Sequence, residues 1–368
     1  MKLKALAIGA AVIVGLSLPV TTAGAGVSVG LAGPAPSTYA WGNNRDVGPA
    51  LTNFTGEVGI DAGNYESLVI EPSGHVLAFA GDSQGAHAET VANLSHVVAT
   101  ADADKYFLAI SSPTPIVSGR CPDSTVWRWS DGKPAAKVTA LDGLGVVQVA
   151  AGADHQFALT CTGKVYVWGV GPLAMGGDGH FKEPTLNPKL TALTGGTSVG
   201  VLIDAGSDIG GMLVNGQVYM WGSNSQGQCG CGTTGSFIVA PTRVKQTVSF
   251  KTISVGGDQS YNGQILAIDG SGRAWCWGAS ADGQCGLGNG NNVDRPTRVP
   301  GQTSVAEVAA GGAYSLFVDT DGDLWGSGDI NDQASTSNQL SPVKVFSEVD
   351  AVSAGAEHAL VVGTHSGK

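Results

Sequence analysis

The sequence predicts an all-β chain: a seven-bladed β-propeller closed by pairing of its N- and C-terminal strands. Three observations predict it. An aromatic strand ending in Trp-Gly recurs, as VYMWG at Val218, AWCWG at Ala274 and YAWG at Tyr39. A second half-motif, two strands joined by a small-residue turn, alternates with the first. The repeats also begin with one half and end with the other, so the two ends complement each other. Closure of this kind removes the exposed edges of an open array.

Taken in order, the chain opens with Lys2 and Lys4, an uncharged run over residues 5–20, and then Ala23-Gly24-Ala25. A basic start, an apolar stretch and an A-x-A site read as a secretory signal over residues 1–25, cut near Ala25. The run is shorter than the roughly 20 apolar residues of a membrane span. No membrane insertion is expected after cleavage, and the expected location is secreted, extracellular. Residues 26–36 read as a short linker and 37–368 as a single propeller domain of seven repeats.

The aromatic halves are YAWG at Tyr39, LAFAG at Leu77, VWRWS at Val126, VYVWG at Val165, VYMWG at Val218, AWCWG at Ala274 and LWGSG at Leu324. The other halves are IDAGNYESLVI at Ile60, ADADKYFLAI at Ala101, VAAGADHQFAL at Val149, IDAGSDIGGMLV at Ile203, SVGGDQSYNGQILAI at Ser254, VAAGGAYSLFV at Val308 and VSAGAEHALVV at Val352. Their period, roughly 40 to 55 residues, suits a blade of four strands. Ser73-Gly74, Thr162-Gly163, Asn215-Gly216, Ser271-Gly272 and Asp321-Gly322 join the halves as tight hairpins, where positive φ is favoured. The Trp and Ala-Gly columns read as packing, a large ring against a small partner.

Composition narrows the function. The chain has 368 residues, 56 of them glycine, and 42% hydrophobic against 13% charged residues, which suits many short strands and not disorder. Acidic residues outnumber basic ones by 30 to 19, for a net charge of −11. That balance opposes nucleic acid and anionic membranes as partners. Six cysteines in an exported chain suggest disulfides. Cys121 and Cys161 precede Trp-bearing strands in consecutive repeats and form a candidate pair. Cys229, Cys231, Cys276 and Cys285 cluster in two consecutive repeats and leave three connectivities open. No histidine lies near the Cys229–Cys231 CxC, so neither a metal nor a cofactor is expected.

WGSNSQGQCGCG followed by APTRV, and WGASADGQCGLGNG followed by RPTRV, resemble repeats of the regulator of chromosome condensation family. The resemblance is strong over residues 201–318, moderate over 146–171 and degenerate in the first three repeats. It implies a seven-bladed β-propeller. The name-giving member is a chromatin-bound guanine-nucleotide exchange factor, a role opposed here by the signal and the acidic charge. In its secreted context the chain is similar to the propeller-type β-lactamase inhibitor, which binds its enzyme through turns just after the Ala-Gly motif. The matching positions are Asn64-Tyr65, Asp104-Lys105, Ala153-Asp154, Ser207-Asp208, Gly257-Asp258, Gly312-Ala313 and Ala356-Glu357.

Closure places these turns on one disc face. Asp154, Asp208, Asp258 and Glu357 would set up a negative field there for a basic partner. Tyr65, Tyr106 and Tyr314 are the candidate aromatic anchors. Other signals carry less. Gly81-Asp82-Ser83-Gln84-Gly85 matches a serine-nucleophile pattern but falls on the ordinary turn after the aromatic strand. Asp319-Thr320-Asp321-Gly322-Asp323 starts like a calcium loop but lacks its closing Glu. His155 and His358 share a repeat position, which points to a structural role.

The expected function is therefore a secreted, non-enzymatic β-propeller, a monomer, that binds another protein through this face, with inhibition of an extracellular enzyme in view. The alternatives are a carbohydrate- or cell-wall-binding, lectin-like propeller and an enzyme with its site in the central funnel.

Overall fold

Turn chemistry sets the hairpins. Asn215 and Gly216 sit at φ 48° and 87°, the left-handed pair a two-residue hairpin needs, and Gly74, Gly163, Gly272 and Gly322, all between 75° and 83°, take the single left-handed place of three-residue loops. The computed structural model describes residues 37–42 and 59–363, apart from 64–65, 83–84, 103–105, 131, 178, 236, 258–262 and 331–337.

After β1 (Ser37–Gly42), the first four-stranded meander is β2 (Gly59–Ala62), β3 (Glu66–Ile70), β4 (Val76–Asp82) and β5 (Gly85–Thr90). The second is β6 (Val97–Ala101), β7 (Phe107–Ser111), β8 (Thr125–Trp129) and β9 (Ala136–Lys137). The third is β10 (Val146–Ala151), β11 (His155–Thr160), β12 (Val165–Gly171) and β13 (Gly179–Leu186). A helix, α1 (Pro188–Thr194), leads to β14 (Val201–Ala205), β15 (Ile209–Val214), β16 (Gln217–Gly222) and β17 (Ile238–Arg243). The fifth sheet is β18 (Phe250–Val255), β19 (Gln264–Asp269), β20 (Ala274–Gly278) and β21 (Val293–Arg298). The sixth is β22 (Val305–Ala310), β23 (Tyr314–Asp319), β24 (Leu324–Gly328) and β25 (Gln339–Phe346). β26 (Val349–Ala354) and β27 (His358–Gly363) form the last sheet with β1, in the order β1-β27-β26.

The chain is thus an all-β propeller. Where seven equal blades were expected, six four-stranded blades are found, and the remaining sheet has three strands. Elsewhere the outer strand comes from the stretch after the polar loop, as in β17 and β21. In the last sheet the corresponding stretch, residues 43–58, lies outside the described residues. β1 runs antiparallel to β27, with Tyr39 opposite Val361. The first strands lie side by side in the order β2, β6, β10, β14, β18, β22, β26, and β26 lies beside β2. Pro241 and Pro296 fall in the outer strands β17 and β21, where a missing N–H faces no ladder.

α1 departs from the all-strand expectation. Asn187 caps it by accepting from the Leu190 N–H (3.0 Å), Pro188 fills its first turn and Gly195 ends it at φ 66°. NPKLTALTGG carries these start and stop signals in plain order.

The two motif columns pack differently from the expectation of ring against small residue. The Ala-Gly glycines bring backbones together around the axis: a Cβ on Gly152 would strike the Gly206 carbonyl, one on Gly206 that of Gly256, and one on Gly355 that of Gly63. Two of the buried tryptophans, Trp221 and Trp277, instead pin the polar loop of the preceding sheet. Trp221 Nε1–H donates to Pro172 O (2.8 Å) and Trp277 Nε1–H to Gln228 O (3.0 Å). In the sixth sheet Ser327 takes the Trp position and its Oγ–H donates to the equivalent Gln284 O (2.9 Å).

Cys121 and Cys161 are bonded, joining the second sheet to the third, and Cys276 is bonded to Cys285 within the fifth. Cys229 and Cys231 are free thiols, which corrects the expectation of disulfides throughout. Met220 stands in the fourth sheet where the fifth has Cys276, so Cys229 lacks the partner thiol that Cys285 has.

Candidate functional site

The turns between the first and second strands are linked from sheet to sheet by their backbones. Ala153 N–H donates to Ser207 O (3.2 Å), Gly257 N–H to Gly311 O (3.1 Å), Gly312 N–H to Gly355 O (3.2 Å) and Ala356 N–H to Gly63 O (3.2 Å). In the turns so linked, the residue just before the second strand is therefore held in a fixed place on this face. Asp154 and Asp208 occupy that place half-buried, and Glu357 exposed. The end of the aromatic strand braces the same turns: Val170 N–H donates to Asp154 O (2.7 Å) and Ser223 N–H to Asp208 O (2.8 Å). A Cβ at Gly169 or Gly222 would strike those carbonyls, and both residues have φ near +100°, so the Gly after Trp serves this crossing.

Tyr106 also precedes a second strand. It is half-buried, with the Arg128 guanidinium over its ring, 4.6 Å from the centroid, a cation–π contact. Tyr65 and Asp258 lie outside the described residues. Tyr314 corrects the expected anchor set. It is the first residue of β23, not the last of the turn, so its ring is buried and its hydroxyl donates to the His358 carbonyl. His155 and His358 occupy the same inward place at the starts of β11 and β27, both buried, and Ser67 Oγ lies 2.6 Å from His358 Nε2. Burial holds both imidazoles down to about 4. They are core groups.

Below the turns, the inner strands enclose a chamber of about 70 Å³ lined by Asp61, Asp102, Asp204, Ser254 and Ser353 among small apolar residues. Most of these polar side chains act as latches between neighbouring sheets. Asp204 Oδ2 accepts from Val255 N–H (2.7 Å), Ser254 Oγ from Ala310 N–H (3.0 Å) and Ser353 Oγ from Ala62 N–H (3.0 Å). Burial pushes the Asp61 and Asp204 carboxyls up to about 7, and the neighbouring Asp61 adds to the rise at Asp204. The sequence signal for this pair was the acid in each of two IDAG copies, in a strand otherwise of small and apolar residues.

Among the described residues, no group of three or more His, Cys, Asp or Glu is placed to hold a metal ion. Asp319 serves its hairpin: Oδ1 accepts from the N–H groups of Asp321 and Asp323, and Oδ2 from Trp325 Nε1–H. Ser83 of the serine pattern lies outside the described residues. No helix among the described residues is long and apolar enough to cross a membrane.

Comparison with known proteins places this geometry. The regulator of chromosome condensation (RCC1) repeat matches residues 215–261 and 271–318, and a second form of the same repeat matches 146–171. Protein pim1 of Schizosaccharomyces pombe is 32% identical over 56% of this chain and 42% of its own. The mitochondrial RCC1 domain-containing protein RUG3 of Arabidopsis thaliana is 29% identical over 55% of this chain and 46% of its own. The chain thus spans less than half the length of these curated relatives. Among solved structures, Prp20p from Saccharomyces cerevisiae, a protein with binding properties to Gsp1p and histones, superposes with a TM-score of 0.70. It has 16% identity, over 90% of this chain and 92% of that one. Yeast RCC1 (Prp20) bound to Kap60 gives a TM-score of 0.71 at 15% identity, over 96% of each chain. Human WBSCR16 gives 0.67 at 18%, over 89% of this chain and 99% of that one.

Proposed function

We propose that this RCC1-like β-propeller is a non-enzymatic protein-binding module that engages one partner through the turns on one disc face. The observation that carries the reading is the chain of backbone hydrogen bonds between those turns, which fixes Asp154, Asp208 and Glu357 in equivalent places. Preorganised groups bind without first losing conformational freedom, and a face with acids in equivalent places selects a basic partner. That a similar propeller, yeast Prp20, is found bound to a protein, Kap60, supports the same use of the fold.

The finer reading goes with it. The three-stranded sheet counts as a seventh blade, closed by the N- and C-terminal strands. Residues 37–368 form one domain, exported after removal of residues 1–25, and act as a monomer on an extracellular protein, with inhibition of an extracellular enzyme as the role to test. The apolar start and the acidic charge support export and a protein partner.

The test is a pull-down with the chain from residue 26 as bait against secreted and surface proteins. The control bait carries Asp154→Ala, Asp208→Ala, Asp258→Ala and Glu357→Ala. One dominant protein, lost by the control and weakened by salt, is the expected result. Equal recovery by both baits would remove the acidic face from the proposal. Recovery of glycan or wall fragments would put a carbohydrate-binding propeller in its place.

A further inference from the structure

The loop between β16 and β17 and the loop between β20 and β21 are two copies of one turn, GQCGCG and GQCGLG. Cys285 in the second copy is bonded to Cys276. Cys229 in the first is buried and free, and Met220 stands at the repeat position of Cys276. A single buried thiol of this kind packs as a small apolar group. This copy, however, has a second thiol, Cys231, where the other has Leu287, and Cys231 is half-exposed. Gly230 and Gly232, at φ 62° and 77°, bracket it and bend the chain sharply on both sides. The two thiols lie near enough for each to shift the other's titration. Cys231 Sγ is 3.2 Å from Thr233 Oγ1, and the Cys229 N–H is fixed on Asn224 Oδ1 at 2.8 Å.

The two sulfurs differ in chemistry. Burial, then the contact with Cys231, pushes the Cys229 thiol well above the usual range. At Cys231 partial burial works the same way, but the contacts with Cys229 and Thr233 outweigh it and hold the thiol below the usual range. An accessible thiol of lowered pKa beside a protonated, buried one is the division of labour between an attacking and a resolving cysteine.

We propose that Cys231 and Cys229 form a thiol–disulfide exchange site for low-molecular-weight disulfides. The Cys231 thiolate attacks one sulfur of the incoming disulfide, whose S–S bond breaks and whose other half leaves as a thiolate. Cys229 then attacks Cys231 Sγ, its proton passing to solvent, and the second half leaves as a thiolate. The products are a Cys229–Cys231 disulfide and two small thiols, so the incoming disulfide is the only oxidant required.

The probe is 5,5′-dithiobis(2-nitrobenzoate), itself a small disulfide, applied to the folded full chain. Wild type should release about two equivalents of the aromatic thiol per chain, keep no adduct, and yield a peptide joining Cys229 to Cys231. Cys229→Ser should stop at about one equivalent, with the adduct held on Cys231, and Cys231→Ser should react at least about tenfold more slowly. A stable adduct on wild-type Cys231 would overturn the proposal, as would first labelling at Cys229 or a peptide joining Cys231 to Cys276 or Cys285. The wild-type peptide map decides the matter even if a serine variant does not fold.

Discussion

Asp204 accepts hydrogen bonds from the Ala205 and Val255 N–H groups, so one carboxyl ties β14 to β18 at the cost of its hydration. Burial raises its pKa from 3.8 to about 7. An acid raised in this way favours folding fully below its unfolded pKa, and that contribution is lost as pH rises through the folded value. The window is therefore pH 3.8 to 7. His155 and His358, lowered from 6.5 to about 4, have the opposite sign: their contribution is present above 6.5 and lost as pH falls toward 4. Comparing wild type with Asp204→Asn cancels the histidine terms, which both proteins share. In urea unfolding, the margin of wild type over the variant should shrink between pH 4 and pH 7.5, by up to about 4 kcal/mol. A margin that stays constant would mean that Asp204 is ionised in the folded chain.

The element that repeats is a loop and the strand that pins it. Gln228 and Gln284 are buried, and each folds its own loop by accepting a backbone N–H, from Gln226 (2.9 Å) and Asp282 (3.0 Å). Their carbonyls accept from Trp277 and Ser327 of the next sheet. Trp277→Phe keeps most of the buried ring and removes that donor, so it should cost roughly 1–2 kcal/mol in urea unfolding. Trp277→Ala opens a cavity as well and should cost roughly 3–5 kcal/mol. No loss in Trp277→Phe, beside a large one in Trp277→Ala, would show that packing alone holds the loop. The repeated Trp-Gly and Ala-Gly strings made the strands legible, because both recur in sequence at one place in each sheet. The partners were not legible. A backbone carbonyl has no letter of its own, so nothing in Gln-x-Gly announces what accepts from Trp277. The face was legible in part: Asp154, Asp208 and Glu357 lie where the turn column puts them. Tyr314 does not, because it stands one residue past that column, at the first place of β23 that His155 and His358 hold in β11 and β27, and the strand takes its ring into the core. The Asp61 and Asp204 pair is visible only once the inner strands converge on one axis.

For the whole molecule, the bond between Cys121 and Cys161 and the pairing of β1 with β27 do the same kind of work at different places. The disulfide spans 40 residues and joins neighbouring sheets; by loop entropy its removal in Cys121→Ala/Cys161→Ala should cost up to about 4 kcal/mol. At the other junction the link is a ladder. β27 has β26 on one side and β1 on the other, in register from Ser37 opposite Gly363 to Gly42 opposite His358. Without β1, β27 presents a bare row of N–H and C=O groups, an edge that other chains can extend. A chain beginning at residue 43 should therefore melt at a lower temperature than one beginning at residue 26. It should also associate as its concentration rises, seen by light scattering, while the longer chain stays monomeric. If the two chains melt together and neither associates, the fold does not depend on its first strand, and the contact of β26 with β2 suffices there.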